Sequence, residues 1–274
     1  MASLLVPCEL KEFNKVFSQL SCGLTDSEVF DDFLLWIIAG FSYDIKWEPR
    51  YKYTKEQTMM FLDLFRELTC TMQEMLKKRE WYDPFGCIYE SSISSHGRRA
   101  GAGQFFTPPT IVDFMVEIQS VEVKMQHGRD NLTGAQVKVS DPTCGSGRML
   151  VAFHAKNPGN FLYGEDIDRT CCLMTVCNML IHGGVGEVVW HDSLDPDSWY
   201  DGWYVNWDLN RTGIPTVRKI AQSESFIYRS WQNRKLEIEK KKDEKEYEII
   251  EDVKPVVEVN PPVGSGTQLS FFFE

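Results

Sequence analysis

One strand-to-helix turn constrains this chain more than any other feature: VSDPTCGSGRMLVAF at 139–153. An apolar run ends on Asp141, a turn carrying Gly145 and Gly147 follows, and an apolar run with helical character resumes. Glycines at such a turn let the backbone approach a ligand closely, and the first turn of the new helix offers free N–H groups. A glycine turn alone is a weak signal. Here a companion acid strengthens it, because the next strand, FLYGED at 161–166, ends on Asp166, 21 residues after Gly145 (166 − 145). At that spacing a carboxylate reaches the ribose hydroxyls of a bound nucleoside. Asp168 competes for the same role, but Asp166 directly follows the apolar FLYG run and is preferred.

The surrounding pattern fits a sheet. Apolar strands are predicted at 137–141, 161–166 and 186–192, with helices at about 148–156 and 168–182 between them. Alternating strands and helices make a parallel α/β sheet whose ligands bind at the carboxyl ends of its strands. Residues 1–95 read as a helical N-terminal domain. Thr25 with Glu28 and Thr54 with Gln57 form capping-box patterns, and Gly40 is placed to end the first of those helices. Residues 96–231 then form the sheet domain. Within it WYVNWDLN, GIPTVRKI and ESFIYRSW read as strands or a strand-rich insertion. Residues 232–274 read as a charged helix or linker followed by a flexible tail, on composition.

Composition removes several classes of function. No run is long and apolar enough for a membrane span, and MASLLVPCELKEF lacks the basic flank of a secretory signal. Eight cysteines show no framework spacing, and Cys171, Cys172, Cys177 and His182 do not match a zinc site. A soluble cytoplasmic protein without metal is expected. The net charge of −11 argues against a broad nucleic-acid-coating surface. A local basic edge remains open, either around His96, Arg98 and Arg99 or in the stretch from Arg211 to Lys235.

DPTCGSGRML closely resembles the S-adenosylmethionine (SAM) motif of adenine-N6 DNA methyltransferases, in particular the methylation subunits of type I restriction–modification systems. Three further segments resemble that family in the same order: DPFGCIYESSIS (83–94), GQFFTPP (103–109), and LYGEDID (162–168) with CNMLIHG (177–183). The resemblance covers roughly 80–195. It implies a Rossmann-like methyltransferase sheet, possible abbreviation of that sheet, SAM as cofactor and DNA as substrate. By position it implies that Phe105, Phe106, Thr107 and Pro108 contact the cofactor, while Asp141, Cys144, Gly145 and Gly147 form the turn that holds its methionine. Asp166 would bind ribose, Ile167 would pack on adenine, and Asp192 would accept from the adenine amino group.

The sequence departs from the family after the fourth strand. There, members carry Asn-Pro-Pro-Tyr/Phe, whose Asn and a backbone carbonyl accept hydrogen bonds from the target amino group while the ring stacks on a flipped base. This chain has WYVNWDLN (203–210) at that place, which makes Asn206 the first candidate for the acceptor. Asn260, in the later Asn260–Pro262, is the runner-up, and the charged run before it favours a linker turn. The reading is a SAM-dependent DNA adenine-N6 methyltransferase, with a separate specificity subunit supplying sequence recognition. Its alternative is a decayed SAM- or DNA-binding module. Gln268, Leu269, Ser270, Phe271 and Phe272 also resemble the short peptide that docks on a bacterial sliding clamp.

Overall fold

The period-two and period-3.6 apolar patterns of residues 137–205 become a sheet with helices on one face, and that sheet organises the molecule. A computed structural model describes residues 7–93, 106–127, 137–195 and 197–252. The chain divides into two compact units, 1–232 and 233–274.

Strands β1 (Lys138–Asp141), β2 (Phe161–Asp166), β3 (Val185–Trp190), β4 (Asp201–Val205) and β5 (Val217–Lys219) lie side by side in that order. The first three are mutually parallel; β4 runs antiparallel to β3, and β5 antiparallel to β4. Two parallel connections require crossovers, and α6 (Arg148–Lys156) and α7 (Arg169–His182) supply them. Among the described residues β1 pairs only with β2, so its outer edge has no strand neighbour.

The expected α/β sheet is therefore present, mixed rather than wholly parallel. Of the three later segments, WYVNWDLN contributes to β4 and GIPTVRKI to β5. ESFIYRSW instead opens a helix, α8 (Phe226–Asp252). Its apolar residues are used at helical spacing: Phe226, Ile227 and Trp231 pack with Tyr163 and Val189 on the sheet face opposite α6 and α7. Glu187, buried on β3, accepts the backbone N–H of Phe226 at 2.9 Å and bonds the Ser225 hydroxyl, so a charged group caps the start of this helix. Burial raises the Glu187 carboxyl pKa.

The N-terminal residues form α1 (Lys11–Leu20), α2 (Asp26–Gly40) and α3 (Lys55–Leu76), followed by short α4 (Pro84–Ile88) and a π-helical turn at Tyr89–Ile93. The Thr54–Gln57 capping box forms as the sequence predicts. At Thr25 the side chain makes no cap bond, and its partner Glu28 pairs with Arg50 and Tyr51 instead. Phe13, Phe33 and Phe61 centre these helices, and their core is continuous with the core under the sheet. The join is α7. Every residue from Thr170 to Leu180 is buried, because one side meets the sheet and the other meets α2, where the Cys177 thiol lies 3.6 Å from the Leu34 carbonyl. A helix apolar on all sides has no solvent face, which explains RTCCLMTVCNMLIH. The three cysteines are core thiols whose pKa values burial drives up.

Helix α5 (Pro109–His127) packs Val112 and Val116 into the core and leaves Ile111, Phe114, Met115 and Ile118 exposed along a second stripe. Met115 and Gln119 on that side border the cleft described next.

Candidate active site

The glycine turn is held by hydrogen bonds that its sequence makes possible. The Cys144 N–H reaches the Glu165 carbonyl at 2.8 Å, tying the turn to β2, and the Gly147 N–H closes on the Cys144 carbonyl at 2.7 Å. Gly145 and Gly147 take φ values of +56° and +79°, where a side chain is strained. Both also sit too close to neighbours for a Cβ. At Gly145 it would lie 3.0 Å from the Phe106 ring, and at Gly147 3.1 Å from the Thr175 α-carbon. The Thr175 hydroxyl donates to the Gly145 carbonyl at 3.0 Å, fixing the turn from below.

The two features that opened the sequence argument touch directly. The Gly145 N–H donates to Asp166 Oδ2 at 2.9 Å, and the Asp168 N–H donates to Asp166 Oδ1 at 2.9 Å. Each carboxylate oxygen thus takes one backbone donor and keeps further acceptor capacity. Asp168 differs, since its carboxylate caps α7 through the N–H groups of Thr170 and Cys171. Burial pushes the carboxyls of Asp166 and Asp141 above their ordinary range, and two backbone donors to Asp166 oppose that shift.

Around the turn lies a cleft of about 600 Å³ at the carboxyl ends of β1 and β2, within the size range of small-molecule sites. Of the residues expected from sequence, Phe106, Thr107, Asp141, Cys144, Gly145, Asp166 and Ile167 line it. Ile167 is 62% exposed and offers a bare apolar surface beside the Asp166 carboxylate. Three others do not line it. Gly147 lies behind the turn, where it caps α6; Pro108 accepts from Ile111 and Val112 to start α5. Asp192 accepts the Leu194 N–H at 2.9 Å in its own loop. Phe105 lies outside the described residues, as do Asn260 and the Gln268–Phe272 peptide. Of the candidate basic edges, His96, Arg98 and Arg99 also lie outside them. Arg211, Arg218 and Lys219 are each paired with an acid, namely Asp208, Glu224 and Asp201.

Asn206 requires correction. It follows β4, which runs antiparallel, so Val205 pairs with Gly186 at the start of β3. Asn206 is therefore at the opposite end of the sheet from the cleft, roughly 16 Å away along a six-residue strand. Its side chain is also fully engaged. Nδ2 lies 3.1 Å from each of the carbonyls of Met179, Leu180 and Gly184, Oδ1 accepts the Thr216 N–H at 3.2 Å, and the residue is completely buried. With φ at +54°, it is an asparagine chosen for a tight corner. Completely buried, it presents no surface to an incoming amino group.

Sequence reasoning missed a buried polar cluster against the turn. Asp83, the N-cap of α4, accepts at Oδ1 from the Gly86 N–H (2.8 Å) and Asn178 Nδ2 (2.7 Å). At Oδ2 it accepts from the Ser146 hydroxyl (2.6 Å) and Arg148 Nε (2.8 Å). Desolvation works against the Arg148 charge, but Asp83 and Glu90 outweigh it and hold the guanidinium more firmly protonated. The available signals were an Asp-Pro ahead of a short helix, and an arginine directly after Gly-Ser-Gly and ahead of the apolar run MLVAF.

Comparison with known proteins identifies a family for the chain. The N-6 DNA Methylase family profile matches residues 80–249. The methylase subunit of the type I restriction enzyme MjaIX, from Methanocaldococcus jannaschii, is 27% identical over 134 residues, which is 46% of this chain and 22% of that protein. The MjaVII methylase subunit from the same organism is 25% identical over 128 residues, 44% of this chain and 20% of that protein. The chain thus spans about a fifth of the length of these relatives. No solved structure matches it.

Proposed function

We propose that this chain, which belongs to the N-6 DNA methylase family, holds SAM in the cleft at the ends of β1 and β2 and serves methyl transfer to adenine-N6 in DNA. One observation carries the reading: the Gly145 N–H and the Asp166 carboxylate meet at 2.9 Å in a cleft of about 600 Å³. A glycine turn leading into a helix, paired with an acid on the next strand, is the arrangement that grips a nucleoside in a doubly wound sheet. The donor set fits SAM. Asp166 keeps lone pairs for ribose hydroxyls, Ile167 offers a face to the adenine, and the turn with Asp141 faces the amino-acid end under Phe106 and Thr107. Bound there, SAM would supply an electrophilic methyl group. The chain's own part is to orient that group and exclude water around it; the target nitrogen needs acceptors rather than a strong base.

Since Asn206 faces away, Asn260 becomes the candidate acceptor. DNA and a specificity subunit are the proposed partners, on the model of the type I methylase subunits it resembles. Titration calorimetry with SAM tests the pocket, and tritiated-methyl incorporation into unmethylated DNA tests transfer. Incorporation abolished by Asn260→Ala supports the enzyme. A second reading, a SAM-binding module without catalysis, is favoured by the position of Asn206. Tight SAM binding with no incorporation would select it. Clamp docking through Gln268, Leu269, Ser270, Phe271 and Phe272 is a separate proposal; unchanged clamp affinity after deletion of 267–274 ends it.

A further inference from the structure

The buried cluster behind the turn reaches the cleft through one side chain. Arg148 Nε donates to Asp83 at 2.8 Å, Nη2 to Glu90 at 3.0 Å, and Nη1 to the Thr107 carbonyl at 2.8 Å. Its side chain is 4% exposed and that of Asp83 1%. The guanidinium carbon also lies 5.6 Å from the centre of the Phe106 ring. That ring lies against the turn, where a Cβ added at Gly145 would meet it at 3.0 Å, and its centre is 5.6 Å from that of the Tyr89 ring. A continuous set of contacts thus runs from the 83–90 segment through Arg148 to Phe106 and Thr107, and from there to the ligand turn. Three acceptors, two on the 83–90 segment and one at Thr107, need a planar fork of donors, which arginine has and lysine lacks. Asp166 meets Gly145 from another direction, at its N–H, and among the described residues it shares no hydrogen bond with Arg148, Phe106 or Thr107.

We infer that Arg148, anchored by Asp83, is a positioning residue that holds Phe106 and Thr107 over the amino-acid end of the donor cleft. The inference rests on the SAM reading above. On that reading, the nucleoside is gripped by Asp166 and Ile167 without help from Arg148, whereas the amino-acid end depends on the segment Arg148 holds. The two ends of the ligand therefore respond differently to its loss. A residue that merely stabilised the fold would weaken both alike.

The experiment measures the affinity of the full chain for SAM and for 5′-methylthioadenosine, which keeps the nucleoside and lacks the amino-acid arm. For Arg148→Lys, SAM binding should weaken about tenfold or more, while 5′-methylthioadenosine stays within about twofold. Glu90→Gln, which leaves the Asp83 pair in place, guards against a variant that fails to fold. It should show the same selectivity at about threefold. Equal weakening of both ligands, or no weakening of either, overturns the inference. If the unsubstituted chain binds neither ligand, the SAM reading itself fails and takes the role of Arg148 with it.

Discussion

Replacing Asp166 with Asn separates the ligand-gripping role of this residue from its role in the turn. Asp166 accepts two backbone N–H groups, from Gly145 and Asp168, one at each oxygen. An amide can satisfy only one of them and turns an NH₂ toward the other. The folded protein loses a hydrogen bond to a charged acceptor and keeps an opposed donor, a cost of about 1–3 kcal/mol. Relief of a buried charge offsets part of this, since burial already raises the Asp166 pKa. The melting temperature should fall by roughly 2–12 °C for a domain of this size. Affinity for SAM should fall further, by about 10–100-fold, because a ribose hydroxyl loses its charged acceptor. The control is Asp168→Asn, which keeps a capping oxygen on α7, removes only its charge, and leaves SAM affinity within a few-fold. Calorimetric titration of both variants decides the matter. Wild-type affinity in Asp166→Asn, or equal losses in the two variants, would refute the assignment of the ribose to Asp166.

Asn206→Ala should cost about 3 kcal/mol or more of stability, because three carbonyls and one N–H lose a buried partner; urea unfolding measures it. Gly147→Ala should cost about 2–5 kcal/mol, since a left-handed backbone is combined with a Cβ pressed on the Thr175 backbone; Gly145→Ala, whose Cβ meets only the Phe106 ring, should cost less. Burial lowers the pKa of His154 and His182 in the folded state below the ordinary value of 6.5. As pH falls through that value the unfolded chain takes up protons that the folded chain refuses, so stability is lost on acidification. The urea midpoint should drop between about pH 7.5 and about pH 5.5, and less so in a His154→Gln/His182→Gln variant; a flat profile in the native protein would contradict the burial argument. Asp141 and Asp166 act in the opposite sense: their raised folded pKa favours proton uptake by the folded state above the ordinary value of 3.8 and offsets part of the acid loss.

The glycine turn and its acid could be read from sequence because both depend on local backbone chemistry. A left-handed φ favours glycine, and a strand end places its last side chain at the crevice. Asn206 could not be read that way. Its residue type fits an acceptor, but its direction depends on whether β4 lies parallel or antiparallel to β3, which is a long-range pairing and leaves no mark in WYVNWDLN. The same holds for Asp83 and Arg148, which are 65 residues apart and meet only when α4 packs against the turn. ESFIYRSW was ambiguous for a different reason. Short aromatic runs suit either a strand or a helix face, and the buried Glu187 that caps it lies 39 residues earlier.

Helix α7 has one side against the sheet and the other against α2. The ligand-bearing half is therefore not a portable cassette. Excised at the glycine-rich stretch near residue 100, it would carry Thr170 and Cys177, which meet α2, bare into water and would lose the Asp83 anchor in the same cut. Grafting this turn onto another scaffold would mean moving the helices that precede it as well.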